Sequence, residues 1–340
     1  MKKYKYQIVI FLILIGIFLF TPLASAQEEM GMVTGSQQGT YFRFGQEIAD
    51  KAKKVGLEIV VRESEGSLDN IKLMISKENA AFAIVQSDVL SFLKRSNEPE
   101  LKQVSKKLRL IFPFYNEEVH LFARKEIKQF SDLQGKRLVL GKQGSGNWLT
   151  SVNLLKITGV KPGESLYLSP ADAVVAVLNE KADAMIYVAG KPVALFTKLN
   201  DLKSDQQLAP LLDKVHFVPL DDPRILQEYI PSTISSNDYS WFSGQIPTVA
   251  VKSALVSFDF SGKNNNYFKM RCEQLSRLGQ VVRDNIDVLK RDGHPKWKEV
   301  DLEGQINIWQ LDSCSRSGKS TPMSDSIDKK LKCTLTGKCS

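Results

Sequence analysis

The sequence predicts an α/β protein of two lobes, each built from βα units around a parallel sheet. Three observations carry this. The chain of 340 residues is longer than a single hydrophobic core usually serves. Its composition, 43% hydrophobic and 25% charged, is that of an ordinary globular chain, which excludes disordered and membrane-embedded classes. The order strand, small polar turn, helix recurs from end to end, as parallel sheets require.

The first lobe opens with a short strand over residues 30–34, followed by the loop Gly35-Ser36-Gln37-Gln38-Gly39-Thr40. A helical stretch follows, with Phe44, Ile48, Ala52 and Val55 at helical spacing and Gly56 where a C-terminal cap belongs. Residues 58–62 alternate as a strand, Gly66-Ser67 makes a turn, and 68–75 reads as a helix capped by Ser67. Residues 81–86 form a buried strand, after which Ser87-Asp88 caps a helix through Val89 and Phe92-Leu93. Two strand-like runs, 108–115 and 119–124, are joined through Asn116-Glu117-Glu118, where the first lobe hands over to the second.

The second lobe repeats the plan. Ser131-Asp132-Leu133 is a helix-start turn and 137–140 a strand. Gly144-Ser145-Gly146 turns into a helix over 148–157 closed by Gly159. Residues 165–168 are a strand, and Ser169-Pro170 supplies a cap and a first-turn proline for a helix over 171–178. A strand over 183–188 ends at Gly190-Lys191-Pro192, and 215–218 reads as one more. Turn residues obscure 221–245. A β-branched strand over 248–256 then returns the chain to the first lobe, followed by a long helix over 267–289.

A chain that leaves one lobe, builds another and returns has two crossovers, hence a hinge beneath a cleft. Two independent domains in series are the alternative. The expected divisions are a leader over 1–26, lobe I over 27–116 and again 246–312, lobe II over 117–245, and a Cys-rich tail over 313–340.

The leader has the three parts of a cleavable secretory signal. These are basic residues at 2, 3 and 5, an apolar run over 8–20, and Ala24-Ser25-Ala26 as the cleavage site. The run is shorter than the roughly 18 to 20 residues of a spanning helix, and there is no cysteine at the cleavage point to take a lipid. The mature protein is expected to be soluble and periplasmic. Loss of Lys2, Lys3 and Lys5 leaves 43 basic against 38 acidic residues, lowering the charge from +8 to +5. The lysines are scattered, which argues against a nucleic-acid face. Cys272, Cys314, Cys333 and Cys339 are an even set with no CxxC pair, so an exported chain favours two disulfides over a metal site. Three pairings are open, of which Cys272–Cys314 with Cys333–Cys339 is the expected one.

In open parallel sheets ligands bind beyond the carboxyl ends of the strands, at turns leading into helices. Four turns have that character: residues 36–40, Gly66-Ser67, 86–88 and 144–147. Free N–H groups and the positive end of the helix dipole favour a carboxylate or phosphate there. Capping alone explains each turn taken singly. Tyr41, Tyr115, Trp148 and Tyr187 lie beside them and would line an amphipathic pocket or simply pack. Arg43 sits in a first helical turn, where the dipole disfavours a cation. It either faces solvent or answers an acidic partner in the cleft.

Catalytic templates fail. There is no GxSxG and no HExxH, and His120, His216 and His294 are scattered. Gly318-Lys319-Ser320-Thr321 resembles the end of a phosphate-binding loop but follows no buried strand. Neither an enzyme nor a cofactor is expected, although scattered residues of a secreted enzyme could assemble in the same cleft.

Three groups of residues resemble the N-terminal signatures of the TAXI family, the TRAP-associated extracytoplasmic immunogenic solute receptors. They are Gly35-Ser36-Gln37-Gln38-Gly39-Thr40-Tyr41, Gly66-Ser67-Leu68-Asp69-Asn70 and Val85-Gln86-Ser87-Asp88. Tyr115-Asn116-Glu117-Glu118-Val119-His120, Asp132-Leu133-Gln134-Gly135-Lys136-Arg137, Gly144-Ser145-Gly146, and residues 183–188 with Gly190 and Pro192 resemble its middle; His294-Pro295 fits its end. The resemblance spans about residues 30–302. It implies a type II periplasmic-binding-protein fold that takes a small organic anion or an amino acid such as glutamate. It also implies TRAP membrane subunits as partners, or else a sensor, with the receptor itself a monomer. It places Gly39, Thr40, Tyr41, Ser67, Gln86, Asp88, Tyr115, Gly144, Ser145, Gly146, Asn147, Gly190 and Pro192 in or near the pocket, with Arg43 as a further candidate. Two features depart from the family: Phe42-Arg43 stands where Tyr-Pro is common, and the tail from Ser313 is an addition.

Overall fold

The computed structural model describes residues 30–317 except 38, 77–79, 263 and 307. The leader, Cys333, Cys339 and the Gly318-Lys319-Ser320-Thr321 run lie outside these residues. The strands are β1 (Met30–Val33), β2 (Ile59–Arg62), β3 (Ala80–Gln86), β4 (Leu108–Arg124), β5 (Arg137–Val139), β6 (Glu164–Leu166), β7 (Ala184–Ala189), β8 (Val215–Phe217), β9 (Ile230–Ser235) and β10 (Gln245–Phe258). The longer helices are α1 (Thr40–Lys53), α2 (Ser67–Ile75), α3 (Val89–Arg95), α4 (Pro99–Lys107), α5 (Gly146–Thr158), α6 (Pro170–Leu178), α7 (Asn266–Asp284) and α8 (Ile286–Asp292).

All ten strands belong to one sheet of order β2-β1-β3-β10-β4-β7-β5-β6, with β8 beside β4 and β9 beside β10. Its two ends repeat one plan. β2-β1-β3 are parallel and followed by antiparallel β10, while β6-β5-β7 are parallel and followed by antiparallel β4. This is the type II binding-protein arrangement. β4 and β10 run antiparallel side by side through its middle and belong to both halves, pairing from Leu108↔Phe258 to Glu118↔Ala250.

Local signals explain much of this. Ser145 caps α5 by accepting the Trp148 N–H at 3.2 Å, and Gly159 closes that helix in the left-handed region. Ser169 caps α6 ahead of Pro170. Elsewhere local pattern gave way to tertiary context. The two runs expected around Asn116-Glu117-Glu118 are one strand, because Glu117 and Glu118 pair with Val251 and Ala250 and stay in the ladder. The expected crossing at 116/117 therefore falls inside β4. Ser67 does not cap α2 but is its first residue, and its hydroxyl instead accepts the Gln86 N–H. The long helix over 267–289 is interrupted at Asn285, whose amide bonds back to the Val281 carbonyl. α4 and β9 carry no sequence-based expectation.

Each half has an aromatic core of its own, and a further apolar cluster joins them where Leu149 of α5 is buried with Val85, Leu90 and Phe92. Phe44 on α1 stacks flat on Trp297 at 4.1 Å and meets Phe114, within a cluster that includes Ile48, Leu278 and Val282. Each such side chain contributes on the order of 1.5–3 kcal/mol by leaving water. In the other half Phe122, Phe196, Phe217, Tyr239 and Trp241 form an aromatic cluster. His120 is buried in it, held between the Glu118 carbonyl and the Tyr239 hydroxyl. Burial lowers its pKa to about 4.

The chain end is strapped to the first half. Cys272 on α7 is bonded to Cys314, as expected, with their Cα atoms 5.0 Å apart. Gly279 lets the strand pass, since a Cβ there would lie 2.3 Å from the Ser315 carbonyl oxygen. Trp309 reaches across to donate to the Ser87 carbonyl at 2.8 Å. The bond closes 42 residues, so opening it should cost about 4 kcal/mol by loop entropy. Urea denaturation of a Cys272→Ser/Cys314→Ser variant is expected to show that loss; an unchanged midpoint would mean the strap holds without the bond.

Candidate functional site

The carboxyl ends of β2 and β5 carry the turns into α2 and α5, and these turns meet beside the end of β3. A Cβ on Gly66 would lie 3.3 Å from the Gly146 nitrogen and 3.7 Å from the Ser145 Cα; with φ at +121° the position also favours glycine. Gly146 faces Gln86, where a Cβ would fall 2.2 Å from Oε1. Thus Gly66, Ser67, Gln86, Ser145 and Gly146 form one contact between the halves, with the N-termini of a nine-residue and a thirteen-residue helix in it. Helix N-termini carry free N–H groups and partial positive charge, which suits an anion.

Asp88 crosses the same junction. It stands at the N-cap position of α3, yet its side chain makes no capping bond. Instead Oδ2 accepts from Thr150 at 2.8 Å and Asn153 at 3.4 Å on α5, and from Tyr229 at 2.9 Å. Oδ1 has no partner. Burial raises the Asp88 pKa to about 6 despite these bonds.

A second cluster lies at the middle of β4. Tyr41, from the first turn of α1, donates to Glu117 Oε2 at 2.6 Å and meets the Tyr115 ring edge-on at 6.5 Å. Thr40 neighbours the buried Tyr115 hydroxyl. Glu117 is 7% exposed. Burial pushes its pKa up to about 8, with the Asp88 and Glu118 charges adding to the effect and the Tyr41 bond opposing it. Glu118 accepts from the Lys191 N–H at 3.1 Å and from Ser232, and burial raises it too. The Lys296 ammonium pairs with Glu299 at 2.6 Å, 5.9 Å from the Tyr115 ring centre.

The remaining expected residues are dispersed. Gly39 ends the first turn, its N–H bonded to Ser36. Asn147 accepts the Val188 N–H at 2.8 Å, tying α5 to β7. Gly144 has a left-handed φ of +85° and open space around it. A Cβ on Gly190 would press on Lys296, and Pro192 is exposed. Arg43 faces solvent, 61% exposed, and pairs with Glu47 at 2.8 Å. It lines an outer groove of about 480 Å³ with Asp50, Lys51 and Asp292. Tyr187 lies near Glu117, and Trp148 packs edge-on against Phe92. Glu117 and Lys296 were missed as site residues. The available signal was a carboxylate pair between two apolar strand runs. No group of three or more metal-ligating side chains is assembled among the described residues.

The repeated sheet order and the two long shared strands define a chain built like a periplasmic solute-binding protein. It belongs to the NMT1-like family, whose model matches residues 32–267. Solved structures similar to it include the GluR0 ligand-binding core from Nostoc punctiforme in complex with L-glutamate, 17% identical over 79% of this chain and 95% of that one, TM-score 0.43. A mutant of ArgBP from T. maritima is 13% identical over 78% and 93%, TM-score 0.43. Tv2483 bound to L-arginine is 10% identical over 82% and 96%, TM-score 0.46.

Two outcomes follow. Asp88→Ala should cost about 2–4 kcal/mol by stranding two buried donors, Thr150 and Tyr229, while Asn153 keeps its bond to the Asp88 carbonyl; this is read by chemical denaturation, and a loss below 1 kcal/mol contradicts the interhalf role. Glu117 has a folded pKa of about 8 against an ordinary 4.5, so the folded chain holds the extra proton between these values. Stability therefore falls as pH rises through that window. E117Q should match the parent near pH 4 and melt higher than it at pH 8.5.

Proposed function

We propose that this chain is an exported solute receptor of the TAXI type, which captures a small carboxylate-bearing solute between its halves and presents it to TRAP membrane subunits. One observation carries the reading: the N-termini of α2 and α5, which follow the carboxyl ends of β2 and β5, meet across the two halves. The ends touch in this structure; a carboxylate entering as they part would take N–H donors from both helices and be stabilised by both dipoles. It would also bridge the halves, which is how ligand drives closure about a hinge. β4 and β10 supply the two crossings such a hinge needs, so the halves divide near residues 116 and 246. The short order of motifs in the sequence supports the TAXI assignment, and residues 1–26 support export.

Binding rather than turnover fits the side chains present. The imidazoles of His120 and His216 hold structural partners, and His294 caps a turn. Cys272 and Cys314 are consumed in a disulfide. Among the described residues no helix is long and apolar enough to cross a membrane.

The test is calorimetry and thermal denaturation of the mature protein with a panel of L-amino acids and dicarboxylates. At a hundred times its dissociation constant a true ligand adds about 2.7 kcal/mol. Thr40→Trp, which crowds Tyr115 at the start of α1, should keep the circular dichroism of the parent and lose that stabilisation. If no carboxylate of either kind stabilises the protein at millimolar concentration, the reading fails.

A further inference from the structure

We propose that Glu117 receives a protonated primary nitrogen of the solute and gives up a proton as it does so, making capture a proton-releasing step. This rests on the receptor reading above and adds the solute's second functional group. The helix ends answer only an anion; Glu117 answers the opposite charge.

The geometry comes first. Glu117 lies at the centre of β4, the strand shared by both halves, and is almost fully buried. Its one described side-chain partner is the Tyr41 hydroxyl on Oε2, and no cation among the described residues is within ion-pair distance of it. An ionised carboxylate in such a place costs several kcal/mol unless a cation joins it. The second observation is independent: at the neighbouring junction, whose Asp88 charge acts on Glu117, two buried oxygens, Gln86 Oε1 and Asp88 Oδ1, lack hydrogen-bond partners. Both are acceptors. An ammonium brings three donors and no acceptor, so it complements this excess, whereas a second carboxylate would add to it.

The groups that face Glu117 come from every element packed on it. α1 contributes Tyr41, the turn before α3 Asp88, β4 itself Tyr115 and Glu118, β7 Tyr187, and the segment after α8 Lys296. Two are acids that repel its charge, one is a lysine that favours it, and three are phenols. With burial the balance favours the protonated acid at neutral pH, near a pKa of 8. The step is then simple: the carboxylic acid loses its O–H proton to solvent, and the resulting carboxylate pairs with the incoming ammonium. At pH 7 this releases roughly 0.9 proton per solute, and close to none at pH 9, where Glu117 is already ionised.

The experiment uses the mature protein with its strap intact. L-Glutamate, L-arginine and the other common amino acids are titrated by calorimetry in buffers of different ionisation enthalpy. Glutarate, succinate and propionate serve as carboxylates without nitrogen. Expected is binding of an amino acid with near-unit proton release at pH 7 that vanishes by pH 9, and no competition from its nitrogen-free counterpart. E117Q keeps the acceptor for Tyr41 and should weaken binding by roughly tenfold or more while abolishing the release. Equal binding of a nitrogen-free carboxylate, or amino-acid binding without proton release, overturns the inference and leaves the receptor reading standing. Failure of both sets to bind removes both.

Discussion

The pairing of β4 with β10 is the constraint on which the rest depends. Each strand enters one half and leaves in the other, so the two cores are stitched together by a single antiparallel ladder. A ladder of this kind resists stretching along the strands but bends readily where no helix covers it. The first and second halves therefore keep their own aromatic cores, around Phe44–Trp297 and around Phe196–Phe217, while their turns face each other over the shared strands. Everything proposed for function sits on that line: helix ends above it, Glu117 and Glu118 in it.

Placing acids in the shared strand has an energetic consequence. Polar atoms beneath a closing junction leave bulk water, and unpaired ones are expensive there. Asp88 meets this by taking three donors from the opposite half, so part of the contact between the halves is a hydrogen-bonded carboxylate rather than apolar surface. Glu117 meets it by keeping its proton. The Asp88 charge adds to the rise at Glu117.

The parts of the fold legible in the sequence were those written locally. Ser145 with Gly159 and Ser169-Pro170 mark helix ends by their own chemistry, and alternation or apolar runs mark β1 to β3. What escaped was set by distant partners. Asn116-Glu117-Glu118 looks like a joint because acids are poor strand residues, and the ladders to residues 250–252 and to Ala189 keep it extended. Ser67 and Asp88 look like caps, yet their side chains serve Gln86 and the opposite half. Arg43 drew notice for being misplaced against a dipole; its answer is Glu47 one turn on, at the surface. Three of the four turns named from the sequence gather Gly66, Ser67, Gln86, Asp88, Ser145 and Gly146 at one junction, because sheet order brings strand ends together regardless of sequence distance.

The most direct measurement is a crystal structure of the mature protein holding the solute that stays with it through native purification. The account expects a small molecule between Gly66-Ser67 and Ser145-Gly146, its carboxylate on the two helix ends and its nitrogen within hydrogen-bond distance of Glu117. A solute seated in the outer groove beside Arg43, or one between the halves that leaves both helix ends untouched, would contradict it.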